Sequence, residues 1–305
     1  MEELNKEQFQ IIGCENINSE EIPRCSITYW QDAWRRLKQN KIAMVSLIVL
    51  IFICIMCIIG PFLTPYKFMV NDSKVLNQAP NIEHYFGTDD IGRDIFARVW
   101  VGGRVSMMIG ILGALVDTTI GILYGGISGY FGGIVDDIMM RIVEILNSIP
   151  YLIVVILISL MVGQGIGALV LAMTITGWVG MARIVRGQVL QIKEQEYVLA
   201  AQALGSSSSR IIARHLIPNT IGIMIVAITF DIPSFIFGEA FLSFIGLGIQ
   251  SPSTSWGALA ASSQQYLMFY PYQLFFPSLF ISLTMLSFNL LGDGLRDALD
   301  PRLRQ

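Results

Sequence analysis

The chain has 305 residues, 53% hydrophobic and 14% charged, with a net charge of −3 and a mean hydropathy of +0.60. Charge-free stretches such as residues 42–63 exceed what a soluble core needs and can cross ~30 Å of hydrocarbon. No long single-sign run suggests a nucleic-acid partner, and the ~10-residue alternation of barrel strands is absent, so the fold class is an all-α integral membrane protein.

Residues 1–40 are polar and read as a cytoplasmic tail, with no cleavable signal peptide, since the first apolar segment has a full span's length. Trp30, Trp34, Arg35, Arg36 and Lys38 mark an amphipathic stretch at the lipid surface, while residues 1–25 read equally well as part of it or as a disordered tail. Six spans follow in residues 41–305: about 42–63, 105–127, 138–161, 166–182, 220–245 and 274–291. Cys54 and Cys57 in the first span are expected to be small packing residues, because desolvation opposes the thiolate that a metal or redox site needs. His84 and His215 fall too far apart in this topology to share a metal, so no metal site is expected.

Between residues 145 and 182 there is no charge, and the one break expected is a tight turn at Gly163-Gln164-Gly165-Ile166-Gly167. Two loops, from Thr64 to about Gly103 and from Gly246 to about Phe275, are the external surfaces. In the second, Trp256, Tyr266, Phe269, Tyr270 and Tyr272 fit an interfacial aromatic belt. With both termini inside, fifteen Lys and Arg fall on cytoplasmic segments and five outside, as the positive-inside bias requires.

Residues 196–219, EYVLAAQALGSSSSRIIARHLIPN, interrupt the apolar pattern on the cytoplasmic side. Tyr197, Ala200, Ala201 and Leu204 form one apolar stripe on a short helix. Gly205 sits where a positive-φ residue would end it, and Ser206–Ser209 offer caps for a second helix starting near Arg210. Arg210 and Arg214 are four apart, and Pro218 marks a bend into the fifth span. The geometry is that of a helix-turn-helix, readable either as a docking knob or as a plain interfacial loop.

This run resembles the cytoplasmic coupling (EAA) loop of ABC importer membrane subunits, in the form found in dipeptide, oligopeptide and nickel permeases. HYFGTDDIGRDIFARVWVGGRVSM (84–107), GEAFLSFIGLGIQSPSTSWG (238–257) and FNLLGDGLRDALDPR (288–302) likewise resemble signatures of the second, C-type permease of that family. The likeness runs from about residue 26 to the end. It implies a type I importer permease of six transmembrane helices with a family core at about 102–305. Its coupling loop would be 196–218, carrying Glu196, Tyr197, Ala200, Ala201, Leu204, Gly205, Arg210, Arg214, His215 and Pro218. Leu199 stands where the broad superfamily has glutamate, leaving Glu196 as the nearby acid. The resemblance further implies a multi-pass protein of the cell membrane, paired with a homologous B-type permease as a heterodimer. Two ABC ATPase subunits would bind ATP and Mg, and an extracytoplasmic binding protein would deliver peptides. This chain has no GxxxxGK[ST] loop, so no nucleotide cofactor and no catalytic residue are expected on it.

Four acids fall inside spans, where each costs about 2.5–3.5 kcal/mol at mid-helix. Asp117, Asp231 and Glu239 are candidates for the translocation path, where a peptide's amino terminus or a cation would meet them. The competing reading, favoured for Glu239, makes them structural partners of other polar groups. Glu144 is the fourth. Nickel or other small-solute transport within the same family and an ion-coupled secondary transporter are the alternatives to peptide import.

Overall fold

The computed structural model describes residues 28–163 and 165–300. The expectations for residues 1–25, Gln164 and the last two arginines lie outside them. Helix α1 (Tyr29–Gln39) is the expected amphipathic stretch: Ala33 and Leu37 are buried, Trp30 and Trp34 exposed, and Asp32 bonds Arg35 and Arg36 at 2.8 and 2.9 Å. Asn40 ends it and caps α2 (Lys41–Ile59), its Oδ1 accepting from the Ile42 and Ala43 amides at 3.1 Å. In α2 the buried residues Ala43, Ser46, Leu50, Ile53 and Cys57 recur at intervals of three and four, forming one narrow seam flanked by the half-buried Leu47, Val49 and Met56, while Ile42, Val45, Ile48, Ile51, Phe52, Ile55, Ile58 and Ile59 are exposed. Cys57 sits in the seam and packs in the core as expected, whereas Cys54 is exposed beside it.

Helix α3 (Ile95–Phe131) starts ten residues before the predicted span and has 37 residues, ~56 Å at 1.5 Å per residue. Asp94 sets the start by accepting from the Ala97 amide at 2.8 Å. The early turns tolerate charge because Arg98 pairs with Asp89 at 3.2 Å and Arg104 donates to the Cys57 and Ile58 carbonyls. The next predicted span is not one helix. Helices α4 (Gly133–Ser148) and α5 (Tyr151–Val162) meet at 83°, broken at Ile149–Pro150. Pro150 has no amide to donate and pushes Ile149 to extended geometry (φ −85°, ψ 129°), a stop signal hidden in the charge-free run.

The glycine turn falls where expected, with φ of 94° at Gly163 and 129° at Gly165. Helix α6 (Ile166–Ile192) then runs ten residues past its predicted end. Helix α7 (Glu196–Ala203) precedes a run formed by α8 (Ser208–Ile211), a five-residue π turn (Ile212–Leu216) and α9 (Ile217–Phe244). Pro218 therefore does not bend the chain. It occupies the first turn of α9, where a missing amide costs little, and Ser208–Phe244 forms one 37-residue span. Helices α10 (Trp256–Ser263) and α11 (Pro271–Leu299) are the last of the described residues' helices. Among the described residues five helical runs are long and apolar enough to cross a membrane, and the bent α4–α5 pair makes a sixth crossing if taken as one span.

Helix α3 is the axis, packed on α6 and α9, while α11 packs on α9 and α2. A Cβ on Gly125 would collide with the Ala182 carbonyl, so the backbones of α3 and α6 touch there. Trp100, Trp256 and Phe280 centre the main core.

Candidate functional site: a projecting helical turn and an acidic cavity

The two ends of the bundle are chemically different. At the N-terminal end of α3, the two predicted external loops join into one cap. His84 bonds Asp94 at 2.8 Å, and Asp89 pairs with Arg93 at 2.7 Å. Gln273 reaches Asn77 at 2.8 Å and the Thr88 carbonyl at 3.1 Å, and Tyr266 donates to Asp90 at 3.1 Å, which holds its phenol above the usual pKa. Trp256 does not belong to an interfacial belt. It is fully buried with Nε1 donating to the Val99 carbonyl at 2.8 Å, because α10 folds inward onto α3.

At the other end of α3, Lys193 donates to the Gly129 and Tyr130 carbonyls and anchors the polar interlude. Gly205 has φ 78° and closes α7 by a paired turn: its amide donates to the Gln202 carbonyl at 2.9 Å and the Ser206 amide to the Ala201 carbonyl at 3.0 Å. The second helix begins at Ser208 rather than near Arg210, and Ser207 at its cap position makes no side-chain capping bond. Val198 is the residue of α7 that is buried, in a cluster with Val185, Val189, Ile211 and Leu216. The stripe expected from the sequence instead faces out: Tyr197 is 46% and Leu204 87% exposed, and Ala200, Arg210 and Arg214 are exposed as well. Glu196 is exposed in the first turn of α7, and His215 lies 6.4 Å from the Tyr197 ring. An apolar, small-residue surface thus projects from the bundle, connected to α9 without a break.

A bidentate pair holds the same end together. Arg186 of α6 grips Asp136 of α4, with Nε to Oδ1 at 2.6 Å, and Ser128 of α3 donates to the same carboxylate. Sequence reading missed this pair; the signal was an acidic Asp136-Asp137 dipeptide just past the Gly132-Gly133 turn, facing arginines that continue an apolar helix.

Past the midpoint of α3 lies a cavity of about 400 Å³ lined by residues of α3, α4, α5, α6 and α9. Asp117 and Asp231 both line it, together with Asn147, Tyr151, Thr176 and Ser234. Asp117 is buried and its Oδ1 has no hydrogen-bond partner. Glu239 does not line this cavity. It is fully buried and accepts from Ser106, Ser243 and Ser255 at 2.9, 2.7 and 2.6 Å, tying α3 to α9 and the start of α10. Glu144 is exposed and paired with Arg141 at 2.8 Å.

A helical membrane bundle with a projecting turn matches known proteins along its length. The family described as "Binding-protein-dependent transport system inner membrane component" matches residues 121–305, and "N-terminal TM domain of oligopeptide transport permease C" matches 28–80. The chain belongs to this permease family. It is a multi-pass membrane transport component and not an enzyme. It is 52% identical over 300 residues to the dipeptide transport system permease protein DppC of Bacillus subtilis, covering 98% of this chain and 94% of that one. The oligopeptide transport system permease protein OppC of B. subtilis is 47% identical, covering all of both chains. OppC of Escherichia coli is 46% identical over 277 residues, 90% of this chain and 92% of that one.

Proposed function

We propose that the chain is one membrane half of the pore of an ATP-driven importer of short peptides. It pairs with a homologous B-type permease, two ATPase subunits that bind ATP and Mg, and an extracytoplasmic binding protein. The observation that carries this reading is the exposed turn at 196–218: small and apolar residues face outward, while the turn is fixed to α6 through Val198 and to α9 through the unbroken Ser208–Phe244 run. A partner that moved this turn would move two membrane helices with it, which is what alternating access requires. In this reading both termini lie in the cytoplasm, so the turn faces the ATPases and the cap of residues 64–94 faces the binding protein. The names of the B. subtilis and E. coli relatives support peptides as the cargo.

The test is co-purification. The solubilised chain with its partner permease is expected to retain the ATPase subunits, and Ala200→Glu, which puts bulk and charge on the outward face, is expected to release them while membrane level and permease pairing stay unchanged. Retention by the variant at the wild-type level would overturn the docking role.

A further inference from the structure

The acidic cavity is lined by two carboxyl groups that no basic side chain among its lining residues answers. Asp117 is 4% exposed, its Oδ1 is unpartnered, and the hydroxyl of Thr176 in the same lining is unpartnered too. Asp231 lines the same space, and no Lys, Arg or His does. Arg186, farther along α6, is occupied by Asp136. Gly177 is part of the design: any Cβ there would overlap the Asp117 carboxylate, so the glycine lets that group lie against the α6 backbone. The C-terminal turn of α4 and the first residue of α5 both reach the cavity; their opposite dipoles offset each other, leaving the two carboxylates to set the sign. Such a wall favours a cation.

Size decides which kind. About 400 Å³ is far more than a bare ion fills and lies within the ~300–1,000 Å³ of organic-ligand sites. Among the described residues no three His, Cys, Asp or Glu gather to hold a metal. An organic ammonium, by contrast, takes two or three acceptors and one or two negative charges at unconstrained geometry, and the Asp117 and Asp231 carboxylates with the Thr176 and Ser234 hydroxyls provide them. Asn147, Tyr151 and Ser234 at the rim are exposed, so the cavity opens on the surface of the chain.

We propose that this cavity is a transit site for the α-ammonium group of the peptide, an inference that rests on the importer reading above. The carboxylates replace the water the ammonium sheds on leaving the binding protein, and the modest number of contacts lets it go again.

Two measurements test it on the complete assembly. In the first, without binding protein, trialanine amide (ammonium, no carboxylate) is expected to raise the thermal midpoint of the solubilised assembly. N-acetyl-trialanine amide is not, and Asp117→Asn and Asp231→Asn are expected to abolish the shift. Equal shifts from both peptides, or a shift that survives both substitutions, would overturn the site. In the second, proteoliposomes with loaded binding protein are assayed for peptide imported per ATP hydrolysed across a dialanine-to-pentaalanine series. Asp231→Asn is expected to lower that ratio at least tenfold, and Asp231→Glu to restore it to within threefold. A parallel fall of hydrolysis and import without rescue by Glu would make the aspartates structural. A tenfold response to exchanging Na⁺ for K⁺ would give the cavity to a metal ion. Both results would overturn the proposal. Failure of the wild type to import any member of the series would instead remove the importer reading itself, and the site with it.

Discussion

Replacing Gly205 by valine is expected to weaken attachment of the ATPase subunits without unseating the chain from the membrane. The residue has φ 78°, and a Cβ built on it meets nothing within 4 Å, so the substitution creates no clash. Its cost is conformational: the left-handed region penalises a side chain by roughly 1–2 kcal/mol, with a β-branched residue at the upper end. If the backbone relaxes instead, the 2.9 and 3.0 Å bonds that close α7 are lost, about 0.5–1.5 kcal/mol each. Neither route reaches the bundle, since Val198 and Ile211 beneath the turn are buried against α6. A partner that accepts only the closed turn would therefore bind about 5–30-fold more weakly. The assay is titration of purified ATPase subunits onto the permease pair in nanodiscs. Asparagine, which tolerates left-handed backbone, serves as the control and is expected to stay near wild type. Valine within twofold of wild type, or asparagine as weak as valine, would refute the reasoning.

Glu239→Ala removes the acceptor shared by Ser106, Ser243 and Ser255, and is expected to cost on the order of 3 kcal/mol or more, seen as a large drop in the thermal midpoint of the solubilised protein. Wild-type stability would mean that the knot contributes nothing. Gly125→Leu forces α3 off the Ala182 carbonyl and is expected to lose at least 1–3 kcal/mol, measured the same way. Single cysteines at Ser207 and Ser253 are expected to react with an impermeant thiol reagent from opposite sides of the membrane, Ser207 from the cytoplasm, in a background lacking Cys14, Cys25, Cys54 and Cys57. Labelling of both from one side would contradict the proposed orientation.

Hydropathy located the membrane helices of the described residues but misjudged the ends of α3, α6 and α9 for one physical reason. It responds to lipid, whereas α3, α6 and α9 continue into polar surroundings where Asp94, the Asp136–Arg186 pair and Lys193 hold the helix ends. Pro150 was visible in the sequence, yet in an uncharged run its effect on Ile149 was outweighed by the apolar pattern around it. The turn at 196–218 was legible because its signals are local: a glycine at the closing position and a short apolar repeat. The acidic cavity was legible only in part. Asp117 and Asp231 stood out by their cost in a span, but whether acids distant in the chain share a cavity is settled by how α3 packs on α9, and the same packing drew Glu239 away into its serine knot.

The central claim, that this chain is half of an ATP-driven pore, is tested most directly by peptide accumulation in sealed proteoliposomes assembled with and without this chain. With the partner permease, ATPase subunits and loaded binding protein present, accumulation against a gradient is expected to require both ATP and this chain, and to persist when ion gradients are collapsed. Accumulation by this chain alone, driven by an ion gradient and indifferent to ATP, would contradict the account.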